Sequence, residues 1–384
     1  MEKPFGSFVL FAAGVSLGSF LGFNIGGARK DAVRQQNRSV TARLSATTVN
    51  GASPSPALLK GSAGDLASAL SAPMSQAADE AIIAAVERLA STDPEAARRA
   101  ALQQPNLRLR WEMVRAVLRG WALGDPDAAA GWALSGQTYL EPNIAVEAVL
   151  EGLVPVDSAR AIALVDRLSQ DVAPALRVPF GTALIAQLSR FGAFAEATRF
   201  AAASNEPARD DWVAMSFNIW ANHQPEAALQ ALGSLSDNAL REKAWKAVVE
   251  GWAVSDPRAL AENSLQSSDP AARDFGLSEA LSNWAYADPQ EAAAWVVRVE
   301  ATTNIDSGLA AVAKSPAFTK KPATGLALAR LITQPTLRST TIGDIVREWA
   351  GTDVKSAIAY ASETPDLTSD ERDSLVSSLR GAYQ

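Results

Sequence analysis

No cysteine occurs anywhere in the 384 residues, and histidine occurs once, at His223. Disulfides, thiolate metal sites and cysteine nucleophiles are therefore excluded. Any metal site would rest on carboxylates alone, without the thiolate or imidazole sets that zinc favours. Glycine-rich phosphate cradles are also missing, so no cofactor or metal site is expected. A triad would need His223 beside a distant serine, and no spacing argues for that. One stretch lacks charge altogether: residues 4–28 carry no acidic or basic side chain.

That uncharged stretch is the first positive signal. Phe5 to Ile25 would measure about 31 Å as a helix, matching a hydrocarbon core of about 30 Å. The rival reading is a cleaved signal peptide, with Gly26-Gly27-Ala28 as its small-residue site. Glu2 cancels Lys3 ahead of the span and the apolar run exceeds a usual h-region, so an uncleaved transmembrane anchor over 1–30 is expected, in the membrane from 5 to 27. Gly14, Gly18, Gly22 and Gly26 recur every four residues, a ridge at which a second membrane helix can approach closely. A homo-oligomer through that helix is the corresponding expectation. The Gly14-to-Gly18 stretch is formally G-x-S-x-G, but no strand precedes it, and the hydrolase reading is rejected. Arg29, Lys30, Arg34 and Arg38 follow the span, which predicts that the body stays on the cytoplasmic side. Insertion as a signal anchor, with the body outside, is the alternative. Residues 31–76, rich in Ala, Ser, Thr, Gly and Pro, read as a disordered linker with a root-mean-square reach of roughly 35–40 Å, with a weak helical segment near Leu58 to Leu70 as the alternative within it.

From residue 77 to 384 the chain repeats. The stretch 244–264, AWKAVVEGWAVSDPRALAENS, reads as the end of one helix, a corner and the start of another. Ala244, Trp245, Val248, Val249 and Trp252 fall at helical spacing; Asp256 can cap the next helix, with Pro257 in its first turn. The corners align on Leu89, Trp121, Leu153, Leu188, Trp220, Trp252, Trp284, Ala317 and Trp349, mostly 32 residues apart. An Asp stands four places after six of these anchors, at 93, 125, 157, 256, 288 and 353. A Pro stands five places after six of them, a small residue eight places after seven, and several bulky residues eleven after. Such a period marks stacked supersecondary units, each too small to bury its own apolar face. The ten tryptophans are assigned to core packing. A polar segment near the end is expected to cap the last unit.

This pattern resembles the helical-hairpin repeats of the α-solenoid class, the tetratricopeptide and HEAT-like families. It departs from the tetratricopeptide consensus in its period, in lacking the W-x-x-L-G-x-x-Y opening, and in placing Pro at the start of the second helix. The resemblance implies an all-α, right-handed α-solenoid of about nine hairpins presenting a binding surface. It carries across no ligand residues.

Charge narrows the partner. Residues 1–76 hold 7 basic and 3 acidic residues, leaving 28 basic and 39 acidic in the body, a net of −11. Nucleic acid is therefore not expected as a partner, because phosphates demand basic side chains. The expected role is a membrane-anchored scaffold or assembly factor that binds protein, not an enzyme. Two alternatives stand beside it: structural self-association through the glycine ridge, and a carboxylate-based glycan enzyme on an α/α scaffold. The units departing most from the pattern supply the candidate partner surface: Phe191 and Phe194 in the fourth, Lys314, Lys320 and Lys321 in the eighth.

Overall fold

The computed structural model describes residues 62–71, 75–300, 305–318 and 321–382. The anchor and most of the linker, with Gly14, Gly18, Gly22 and Gly26, lie outside the described residues, as does Lys320. The protein is all-α, 82% helical, with no strand among the described residues. Its helices, in order, are α1 (Ala63–Leu70), α2 (Gln76–Ala90), α3 (Pro94–Gln103), α4 (Leu107–Gly124), α5 (Pro126–Leu134), α6 (Pro142–Leu153) and α7 (Ser158–Asp171). Then come α8 (Pro174–Arg190), α9 (Phe194–Ala203), α10 (Arg209–His223), α11 (Pro225–Ala231), α12 (Asn238–Ser255) and α13 (Pro257–Ser264). The last six are α14 (Pro270–Ala287), α15 (Pro289–Glu300), α16 (Asp306–Ala313), α17 (Pro322–Ala329), α18 (Pro335–Glu363) and α19 (Ser369–Ala382). No helix among the described residues is long and apolar enough to cross a membrane.

The corners explain the helix boundaries. Asp125 ends α4 and begins α5, so one residue joins two helices; Gln224, Asp256 and Asp288 do the same. In each, the N–H donates back to the carbonyl of the anchor four residues earlier: Asp125 to Trp121, Asp256 to Trp252, Asp288 to Trp284. The side-chain oxygen then accepts the N–H three residues on, at 3.0 Å in all three. Asp93, Asp157 and Asp353 cap in the same way. All six aspartates picked out by the sequence are caps, each contributing about 1 kcal/mol. The backbone at Asp256 (φ −145°, ψ 79°) is nearly reproduced at Asp93, Asp157 and Gln224. It recurs inside α18, where Asp353 (φ −148°, ψ 81°) divides one long helix into two. The proline after the corner has no N–H to leave unpaired, which suits the first helical turn.

Two corners depart from this pattern. After α8 the chain closes with Gly192 at φ 78°, and Ala193 N–H reaches the Leu188 carbonyl at 2.8 Å. That glycine-centred ending puts Ala193, which has no side-chain oxygen, at the cap position of α9. Before α17 the expected anchor Ala317 is exposed, in a short 3-10 turn Pro316–Phe318, while Phe318 is buried. The plug is one residue later than the spacing predicts, because the tighter turn shifts the register.

Helix packing follows a single rule. Taking α2, α4, α6, α8, α10, α12, α14, α16 and the start of α18 as first helices, each packs against the next first helix. Each second helix lies between the first helix before it and the one after. The result is a helical repeat-like array. Its interior forms two adjoining sets of buried residues that meet within α12 between Val248 and Val249, with Leu229 and Trp245 packed against both. Anchors pack on the bulky residue eleven places later: Trp121 on Trp132, Trp284 on Trp295 and Trp349 on Tyr360, with ring centroids 5.7–6.0 Å apart. Trp111, at 52% exposed, is the clear exception to the core assignment of the tryptophans.

Three glycines set the closeness of the first helices. Gly120, Gly152 and Gly251 each sit one residue before an anchor. A Cβ there would run into the carbonyl oxygen of Glu87, Arg119 and Asn218 respectively, on the preceding first helix. Gly131, in the middle of α5, faces open space. Gly251→Val should therefore lower unfolding stability by about 1–3 kcal/mol through overpacking. Gly131→Ala should raise it by about 0.5–1 kcal/mol through helix propensity. Denaturant unfolding followed by circular dichroism measures both.

Candidate functional site

The exposed side of the first-helix layer changes character along the chain. In the first four hairpins it is a ladder of ion pairs. Arg119 bonds Glu87 on α2 at 2.9 Å and approaches Glu151 on α6 at 3.3 Å, while Arg115 reaches Glu151 at 2.8 Å. Arg190 of α8 adds a third, longer approach to Glu151 at 3.9 Å. Burial and the neighbouring Glu151 raise the Glu147 carboxyl above its ordinary range, while Arg115, Arg190 and the Gln187 amide pull it back. Farther along, amides replace charges: Asn218 Nδ2 donates to the Ala247 carbonyl at 3.2 Å and Asn222 Nδ2 to the Gly251 carbonyl at 3.5 Å.

In the seventh to ninth hairpins the same side is lined by small residues. Ser278 and Ser282 on α14, Ser307, Ala310 and Ala311 on α16, and Lys314, Ser315, Pro316 and Leu337 enclose an open depression of about 370 Å³. Ser315 is held by its own contacts, its Oγ donating to the Ala285 carbonyl at 3.0 Å. Ser307 Oγ is sealed from solvent without a hydrogen-bond partner. Lys314 is exposed, and its Nζ lies 3.7 Å from an Asp344 oxygen. Among the described residues no cluster of three or more His, Asp or Glu side chains is placed to hold a metal ion.

The residues singled out from the sequence fall in separate places. Phe191 follows α8, 46% exposed as a residue, with the Arg190 guanidinium 5.6 Å from its ring centre. Phe194 is buried, its ring 6.2 Å from Trp220 and 5.5 Å from His223. It is part of the hairpin's interior, so only Phe191 of that pair faces outward. Lys314 lines the depression, and Lys321, exposed, occupies the cap position of α17 without a side-chain cap bond. The serines around Lys314 were missed because Ser carries no periodic or charge signal. Three of them, Ser278, Ser282 and Ser315, could have been found as small polar residues where earlier hairpins carry Arg or Glu.

Compared with protein-family models, with curated proteins and with solved structures, the chain matches none.

One carboxylate on this side gives a pH signature. Glu279 on α14 is raised by burial first and by Glu250 second, and no ion pair offsets either effect. A carboxyl whose folded pKa exceeds its unfolded value holds its proton longer in the native state. Stability therefore falls as pH rises from the unfolded value through the folded one. Glu279→Gln should raise the unfolding midpoint at pH 7, and the gain should shrink as pH falls and vanish well below pH 4, where the carboxyl is protonated in both the folded and the unfolded chain. Thermal unfolding across that range checks it.

Proposed function

We propose that this protein is a membrane-anchored scaffold or assembly factor, an α-solenoid that holds another protein along its first-helix layer. One observation carries the reading. The second helices alternate between neighbouring first helices, so the first-helix layer presents a continuous exposed side whose chemistry changes hairpin by hairpin. Repeat arrays of this kind form extended binding surfaces because each unit contributes its own outward side chains. Varied side chains on a regular frame suit recognition of a protein segment better than a single enclosed reaction centre. The uncharged stretch at 5–27 supports membrane attachment, and the basic residues after it favour a cytoplasmic body.

Two forms of the chain test the proposal, full-length and lacking residues 1–30, each recovered from cells after mild detergent solubilisation. A stoichiometric protein partner should accompany both, since the binding surface lies in the body. Recovery of neither form with a partner would overturn the scaffold reading. Recovery with the full-length form alone would move binding to the anchor and favour self-association through its glycine ridge.

A further inference from the structure

Resting on the scaffold reading, we infer that the serine-lined depression between α14, α16 and α18 is the docking point for an acidic segment of the partner protein, whose carboxylate is received by Lys314. Three independent features converge there. The first is charge. Residues 305–347 contain six Lys or Arg against two Asp, a net of +4 inside a body whose net charge is −11. Lys314 is the one of these six that lines the depression, so an acidic ligand entering it meets positive charge.

The second feature is the state of Lys314 itself. Its partner Asp344 also pairs with Arg347, at the shorter distance of 2.8 Å. Two cations thus share one carboxylate, and Lys314 holds the longer contact. A lysine at the end of α16 also complements the helix dipole, and that alone would explain its identity. It would not explain why Lys314 borders a depression lined mostly by Ser and Ala.

The third feature is the lining. Ser278 and Ser282 line the depression beside Ala310, Ala311 and Leu337, so hydroxyls are mixed with an apolar floor. An extended peptide could supply backbone groups to the Ser278 and Ser282 hydroxyls and small side chains to the floor. The lining contains one ammonium and no guanidinium fork. That matches a single carboxylate better than a phosphate, which favours bidentate arginine.

The test uses the full chain in detergent and a fluorescein-labelled peptide of alternating Glu and Ala, amidated at its C-terminus, read by fluorescence anisotropy. Saturable binding is expected, with Lys314→Glu and Ser282→Trp each weakening it about tenfold or more. Lys314→Gln should weaken it less, whereas Lys246→Glu on the exposed side of α12 should leave it unchanged. Circular dichroism of each variant should match the parent, since Lys314 and Ser282 are both exposed. Unweakened binding by either groove variant would overturn the assignment, as would equal binding of a Gln-Ala peptide. A phosphoserine peptide displacing the probe more strongly than a glutamate one would assign the site to phosphate instead. If the Ser282→Trp chain still recovers the same cellular partner as the parent, the groove assignment fails while the scaffold reading stands.

Discussion

The structure depends on the bond by which a corner residue donates its N–H to the carbonyl of the anchor four places earlier. That bond ends the first helix. The same residue's side-chain oxygen then satisfies an N–H of the second helix, so one residue closes two helix ends that would otherwise leave backbone groups unpaired. Because Asp125, Asp256 and Asp288 do this with no further linker, and Gln224 makes the same turn with the backbone bond alone, the angle between the two helices is fixed by one pair of backbone torsions. Repeating nearly the same torsions along the chain repeats the hairpin. The anchor ring, pressed on the bulky residue eleven places later, fills the corner that those torsions create.

Stacking follows from what a hairpin cannot do alone. Two short helices leave an apolar side uncovered, and the next first helix covers it from both layers. Gly120, Gly152 and Gly251 let neighbouring first helices approach so closely that a Cβ at any of them would run into a carbonyl oxygen of the helix before. With the interior so engaged, variation is confined to the outward side of the layer. There the arginine–glutamate ladder of the early hairpins gives way to amides and then to serines around Lys314.

Much of this frame was legible in the sequence, for a physical reason. Asp and Pro at a corner are dictated by local backbone chemistry, and local chemistry is what a sequence displays. All six Asp caps stand where the spacing put them. The corner before α17 was misplaced because a 3-10 turn moved the plug from Ala317 to Phe318. The close-approach glycines went unread because a glycine inside a helix signals only lost propensity until its neighbour is known. Phe194 was taken for surface because its stacking partners, Trp220 and His223, come from the next hairpin. The serine depression was invisible for the same reason: it is built from side chains of three helices that meet only after stacking.

The central claim is that consecutive first helices lie side by side in the register set by these corners. The absence of native cysteine permits a background-free measurement of it. Asp211 and Lys243, exposed on α10 and α12, form an ion pair at 2.7 Å. With both replaced by cysteine, a short bifunctional maleimide should link the two positions rapidly within one chain, giving a single internally bridged peptide on digestion. A pair at 211 and 250, about two turns farther along α12, should link far more slowly. Equal linking of the two pairs, or none at 211 and 243, would contradict the stacking register on which the rest of the account is built.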